Sequence, residues 1–215
     1  MNNIITIVSG LPRSGTSMMM RMLQAGGMEI LTDNIRKADT DNPRGYFEFE
    51  KVKKIKEDDS WLEDAKGKAV KMVSRLLYDL PAGMDYKIIF LERSMQEVLT
   101  SQRIMLKRQG QTDGGVEDEK MGKLFEKHLS EVKKWLQDQQ NMDSLYISYN
   151  DVLANSRRHA ARINRFLDNQ LNIANMVTVV DQSLYRNRIK ADNRKITPKS
   201  ISTGLKTLWD RLTGA

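Results

Sequence analysis

Ile4-Ile5-Thr6-Ile7-Val8-Ser9-Gly10-Leu11-Pro12-Arg13-Ser14-Gly15-Thr16-Ser17 is the stretch on which the fold turns. Its opening is apolar and β-branched and reads as a buried strand. Gly10, Pro12 and Gly15 then mark a tight turn. Met18 to Ala25 follows as a run of good helix formers around Arg21. Strand, glycine turn and helix in that order aim free backbone N–H groups at an anion. The spacing from Gly10 to Gly15 to Ser17 fits the phosphate-loop pattern G-x-x-x-x-G-K-[ST], with Thr16 in place of the lysine. That lysine serves the β- and γ-phosphates of a triphosphate. Here the cation lies inside the loop, at Arg13. The loop therefore suits one phosphate or sulfate-like group better than a triphosphate with magnesium. The bland alternative is an ordinary strand-to-helix turn.

Outward from this stretch, Gly26-Gly27 ends the helix and Met28 to Leu31 reads as a short second strand. Asp33 to Gly45 is a polar loop, expected at the mouth of a site, and Tyr46 to Glu50 leads into a basic helix through Val52 and Ile55. Lys68 to Val73 suits a third strand, followed by a short helix or turn from Ser74 to Leu80. Tyr86 to Leu91 is a near-continuous apolar run, as in a central parallel strand buried on both faces. Ser94 and Glu97 have the spacing of a capping box at the next helix. Gly110 to Gly115 is a break. A long helix is predicted over 117–139, with Met121, Leu124, Phe125, Leu129, Val132, Trp135 and Leu136 at helical spacing. Leu145 to Tyr149 is the last strand, and Asp151 to Leu167 reads as one helix. The alternation gives an α/β fold: a P-loop-like three-layer domain with a mostly parallel central sheet flanked by helices. It is expected over 1–190, with 191–215 as a basic C-terminal tail carrying a short helix.

Composition narrows the function. The 215 residues include no cysteine, which excludes disulfides, thiol nucleophiles and zinc–thiolate sites. His128 and His159 are far apart and outside any acidic cluster, so no metal site is expected. No apolar run is long enough to span a bilayer and no basic leader precedes an apolar stretch, so a cytoplasmic location is expected. The formal net charge is +7, and from Arg186 onward there are eight Lys/Arg against two Asp. A basic end of this kind attracts an anionic membrane surface or substrate, or is simply solvated. It and the residue just before it offer only Trp209 and Tyr185 for base stacking, so nucleic acid is not an expected partner.

A second anion site is expected where Arg93 ends the central strand. Ser101 lies two turns past Ser94, so it returns to nearly the same helical face. A guanidinium at a strand end and a hydroxyl on the adjacent helix grip one phosphate from two sides. Ligands of open parallel sheets sit beyond the carboxyl ends of the strands, which puts Arg13, Arg93 and the turn after Val73 on one rim.

The string Pro12-Arg13-Ser14-Gly15-Thr16-Ser17 resembles the 5′-phosphosulfate loop of sulfotransferases that use 3′-phosphoadenosine 5′-phosphosulfate (PAPS). The wording is closest to the tyrosylprotein and carbohydrate branches and their bacterial relatives. The resemblance implies that Arg13, Ser14, Gly15, Thr16 and Ser17 bind the 5′-phosphosulfate and that Arg93 and Ser101 bind the 3′-phosphate. It also implies that Tyr149, in Tyr149-Asn150-Asp151-Val152, contacts the adenine. Lys71 falls where cytosolic members have a catalytic-site lysine two residues before a histidine base. That position is Val73 here, and Met18 replaces their adenine-stacking tryptophan, so the cytosolic branch does not fit. The family's late basic motif is unmatched, with Arg186 and Arg188 the nearest substitutes.

With no histidine in place, a carboxylate is wanted as the base, and the resembling branches use a glutamate after the second strand. Glu29, Glu48 and Glu50 are the candidates. Glu48 is preferred because Phe47 and Phe49 flank it and would shield it from water; Glu50 is second. A helix-start glutamate favoured by the dipole is the alternative. The reading is a sulfotransferase that moves a sulfuryl group from PAPS to a hydroxyl or amine acceptor, without a metal. Its partners are the nucleotide donor and an acceptor that the sequence does not identify. A kinase with a degenerate phosphate loop and a non-catalytic nucleotide-binding protein are the competing readings.

Overall fold

The computed structural model describes residues 3–39, 42–108, 118–181 and 183. The expected break at Gly110 to Gly115 and the basic tail lie outside these residues. The chain is α/β. Five parallel strands form one sheet: β1 (Ile5–Gly10), β2 (Ile30–Leu31), β3 (Ala69–Lys71), β4 (Tyr86–Glu92) and β5 (Met142–Ser148), in the order β2-β3-β1-β4-β5. The helices are α1 (Thr16–Ala25), α2 (Leu62–Ala65), α3 (Met95–Arg108), α4 (Asp118–Gln137), α5 (Tyr149–Ala154), α6 (Ser156–Phe166) and α7 (Ile173–Thr178). Two 3-10 helices, Glu50–Lys54 and Ser74–Asp79, flank β3 in sequence.

All of β1 is buried, because it is the middle strand. Its register runs Thr6 opposite Ala69 on one side and Ile5 opposite Tyr86 on the other. The period of two sorts its side chains between two cores. Ile5 and Ile7 of β1, with Ile88 and Phe90 of β4, pack with Trp61, Leu62, Leu77, Val132 and Leu136. Val8, Ile89 and Leu91 face the other way, onto α1 and onto Val152, Ile163 and Met176. Met18, Met19, Met20 and Met22 are core filling on that side.

Two expectations change. The helix predicted from Asp151 to Leu167 is two helices. Asn155 leaves helical geometry at φ −145°, ψ 72°, and its side chain accepts from Arg158 N, capping α6. An asparagine competes with the helix for backbone partners and is favoured at such a cap. The basic helix through Val52 is a short 3-10 turn. The short helices α2 and α7 had no periodic signal to announce them.

Candidate functional site

The carboxyl ends of β1, β3, β4 and β5 make the rim. The loop after β1 is held in an unusual backbone path. Gly10 has φ +145°, and a Cβ there would stand 2.5 Å from the Leu91 carbonyl oxygen. Arg13 is left-handed at φ +71°. Gly15 has φ +104°, and a Cβ on it would stand 2.3 Å from the Tyr149 ring. Side chains rarely adopt such angles, which is why glycine occupies two of these positions. Among the described residues, the amides of Thr16 and Ser17 have no backbone acceptor, and the first turn of α1 carries no acidic residue. Ser14 Oγ is buried without a hydrogen-bond partner. Unpaired donors at a helix start and an orphaned buried hydroxyl fit an anion seated in the loop.

The residues of the two expected anion sites touch one another directly. Arg13 Nε donates to Ser101 Oγ at 2.9 Å, and Arg93 Nη1 donates to the Arg13 carbonyl at 3.1 Å. Gln102 Nε2 donates to the Pro12 carbonyl at 3.4 Å. Arg93 also lies 4.5 Å from the centre of the Tyr149 ring. Residues named from sequence in the loop, just after β4, on α3 and at the start of α5 thus converge on one corner. Glu97 takes a part that sequence reasoning missed. Its carboxylate accepts from Arg93 Nε at 2.9 Å and from Asn150 Nδ2 at 3.2 Å, within the protein. An Arg and a Glu four residues apart across a helix start were the available signal.

On the other side of the loop stands a second group. Lys71 closes β3, and its Nζ donates to the Tyr46 carbonyl. Ser17 Oγ donates to the same carbonyl at 3.2 Å. Glu48 Oε1 is 3.5 Å from Lys71 Nζ and 3.0 Å from Arg36 Nη1. The Glu48 main chain is fixed too, its carbonyl accepting from Thr32 Oγ1 at 2.8 Å. Burial pushes the Lys71 ammonium down to about 8; Glu48 pulls it back up, while Arg36 and Arg13 push it lower. Burial, then a hydrogen bond to Asp39, holds the Tyr46 hydroxyl up at about 12.

Of the three candidate carboxylates, Glu48 is the one at Lys71. Glu50 bonds Lys53 of its own turn at 2.8 Å. Glu29 pairs at 2.9 Å with Lys68, before the amino end of β3 and so at the opposite end of that strand from Lys71. The expected reason for preferring Glu48 is corrected. Phe49 turns to Trp61, with ring centres 5.5 Å apart, and Phe47 packs into the core beside α1. Two cations, not two rings, are the carboxylate's hydrogen-bond partners. Arg36 and Tyr46 had no sequence signal, being residues of a polar loop whose path local pattern does not encode.

The histidines do not join these groups. His128 Nε2 is 2.8 Å from Ser74 Oγ, and burial lowers its pKa. His159 is buried on α6. Among the described residues, no cluster of three or more His, Cys, Asp or Glu could hold a metal, and no helix is long and apolar enough to cross a membrane.

A family model described as "Sulfotransferase domain" matches residues 4–206. No curated protein matches the chain. Among solved structures, a retinol dehydratase in complex with androsterone and the inactive cofactor PAP is 16% identical, with a TM-score of 0.48, covering 86% of this chain and 66% of that one. A sulfotransferase domain from the curacin biosynthetic pathway is 14% identical, with a TM-score of 0.47 and 97% of each chain covered. One from the Synechococcus PCC 7002 olefin synthase is 16% identical, at 0.47, covering 99% of this chain and 94% of that one. This chain therefore spans slightly under two thirds of the retinol dehydratase.

Proposed function

The chain belongs to the sulfotransferase family, and from that premise we propose that its donor is PAPS and its acceptor a hydroxyl or amine. The observation that carries the donor reading is the direct link between the two anion grips, Arg13 to Ser101 and Arg93 to the Arg13 carbonyl. A ligand with an anionic group at each end of one nucleoside suits such a linked pair. Magnesium triphosphate would leave the second grip unexplained.

In the proposed reaction the acceptor oxygen or nitrogen attacks sulfur in line. A new bond to sulfur forms, the bond from sulfur to the bridging phosphate oxygen breaks, and its electron pair leaves on 3′-phosphoadenosine 5′-phosphate (PAP). Glu48 takes the acceptor proton. The ammonium of Lys71 and the guanidinium of Arg13 offset the charge that develops on the leaving oxygen. Tyr149 supports the adenine side, in keeping with its ring lying against Gly15 and Arg93.

Calorimetry with PAP against ATP–magnesium tests the donor. Tight PAP binding with none for ATP–magnesium is expected; the reverse would favour a kinase. Transfer of labelled sulfate from PAPS across a panel of sugars, phenols, alcohols and amines tests the chemistry and identifies the acceptor. PAP binding with no transfer to any acceptor would favour the non-catalytic reading. For the basic stretch from Arg186 onward we propose a peripheral contact with anionic surfaces, which flotation with anionic against neutral vesicles tests.

A further inference from the structure

Arg36, from the loop after β2, puts Nη1 3.0 Å from Glu48 Oε1. Lys71 Nζ approaches the same oxygen at 3.5 Å. Among the described residues, the other oxygen, Oε2, accepts no hydrogen bond. Arg36 is itself braced. Its guanidinium carbon lies 3.5 Å from the centre of the Tyr46 ring, a cation–π stack. The Tyr46 hydroxyl donates to both oxygens of Asp39, at 2.7 and 2.8 Å. Tyr46 thus supports Arg36 with its ring and receives Lys71 and Ser17 at its carbonyl.

A glutamate carboxylate ends a flexible side chain, and its two oxygens are interchangeable until something distinguishes them. Here two cations occupy one of them. We infer that Arg36 is a positioning residue for sulfuryl transfer: it clamps Glu48 by Oε1 so that Oε2 is the atom presented to the acceptor's proton. The inference rests on Glu48 being the base. In the balanced step the proton of the acceptor O–H or N–H moves to Oε2 as the acceptor atom bonds to sulfur and the donor's S–O bond breaks. Arg36 touches neither sulfur nor proton. Its effect is to hold the carboxylate in reacting geometry, where small misplacements are costly.

The competing account is a staple that merely ties the loop down. A double-mutant cycle separates the two, because residues acting as one unit give non-additive losses. Glu48→Gln is expected to lower kcat by about 10²–10⁴-fold. Arg36→Met keeps an apolar chain over Tyr46 and removes the charge; it should lower kcat by about 10- to 100-fold with little change in acceptor KM or PAP affinity. In the double variant, kcat should match Glu48→Gln alone. Added guanidinium ion should restore part of the activity of Arg36→Ala and none of that of Arg36→Ala/Glu48→Gln. Additive losses, a loss confined to KM, or no loss in Arg36→Met would overturn the positioning role while leaving Glu48 as base. Normal turnover in Glu48→Gln would remove the base assignment and this inference with it. PAP affinity in every variant reports whether the donor site is still folded.

Discussion

Arg93 holds Arg13 by its main chain: the Nη1 of one donates to the carbonyl oxygen of the other at 3.1 Å. Arg13 is a non-glycine residue in left-handed conformation, at φ +71°, which is uncommon and needs support from its surroundings. The cation proposed for the second phosphate therefore also secures the turn proposed for the first. Glu97 in turn fixes Arg93 from behind. The two grips form one structural unit, so their variants should not behave independently.

Arg13→Ala is expected to weaken PAP binding by about 1.5–3 kcal/mol, the range for losing a hydrogen bond to a charged group. Arg13→Lys keeps the charge and should lose less, although it cannot reproduce the fork that reaches Ser101. Calorimetric titration of both variants checks this. Wild-type affinity in both would remove the loop from the donor site.

Ser101→Ala should weaken PAP more than adenosine 5′-phosphosulfate, which has no 3′-phosphate. Arg93→Ala should weaken both ligands, because it releases the Arg13 carbonyl as well as its own charge. Paired titrations of the two nucleotides decide it. Equal losses for both ligands in Ser101→Ala would mean that Ser101 acts only as the partner of Arg13.

Glu50→Gln should leave turnover close to wild type, because its carboxylate is spent on Lys53 within its own helical turn. Glu48→Gln should keep nucleotide affinity and lose turnover by about 10²–10⁴-fold. Steady-state rates with labelled PAPS, measured alongside PAP affinity, test the pair. A collapse in Glu50→Gln beside an intact Glu48→Gln would move the base along the chain.

The Lys71 ammonium is held at about 8, below its ordinary value of 10.5, chiefly by burial. Turnover that needs the ammonium should therefore fall as pH rises through about 8. Glu48 pulls this value up, so the basic limb should move to lower pH in any residual activity of Glu48→Gln. Stability runs the opposite way. Between the folded and ordinary values the unfolded chain binds more protons at this position, so the contribution of Lys71 to stability increases with pH across that window. It is fully present above the ordinary value and lost as pH falls through the folded one. Urea midpoints below, within and above the window, for wild type and Lys71→Met, test this; the variant should lack that component of the rise.

What could be read from the sequence was what local pattern encodes. The strand and glycine turn around Gly10, the apolar run of β4 and the apolar stripe of α4 each carry their signal within a few residues. Arg93 and Ser101 could be read because one strand-to-helix junction holds both. The contact of Gly15 with the Tyr149 ring could not, since it depends on how β5 closes against β4. Glu97 read as a helix cap because its partner Asn150 lies on a distant element. Arg36 was invisible for the same reason, as a polar-loop residue whose role comes from the path that brings it onto Tyr46.

The strand order has a consequence for how the protein comes into being. β1 lies in the middle of the sheet, with β3 and β4 at its two edges, and Ile5 pairs with Tyr86. During synthesis it leaves the ribosome well before either neighbour. Until they arrive, a ribbon carrying Ile5, Ile7 and Val8 has two open edges, and contacts so distant in sequence form slowly. The loop that follows lacks Ser101, Arg93 and Tyr149 for longer still. A nascent chain is thus prone to self-association between the emergence of β1 and that of β4, and the loop after β1 is completed late, so a chaperone that shelters β1 during that interval should raise the yield of native protein more than one acting after release.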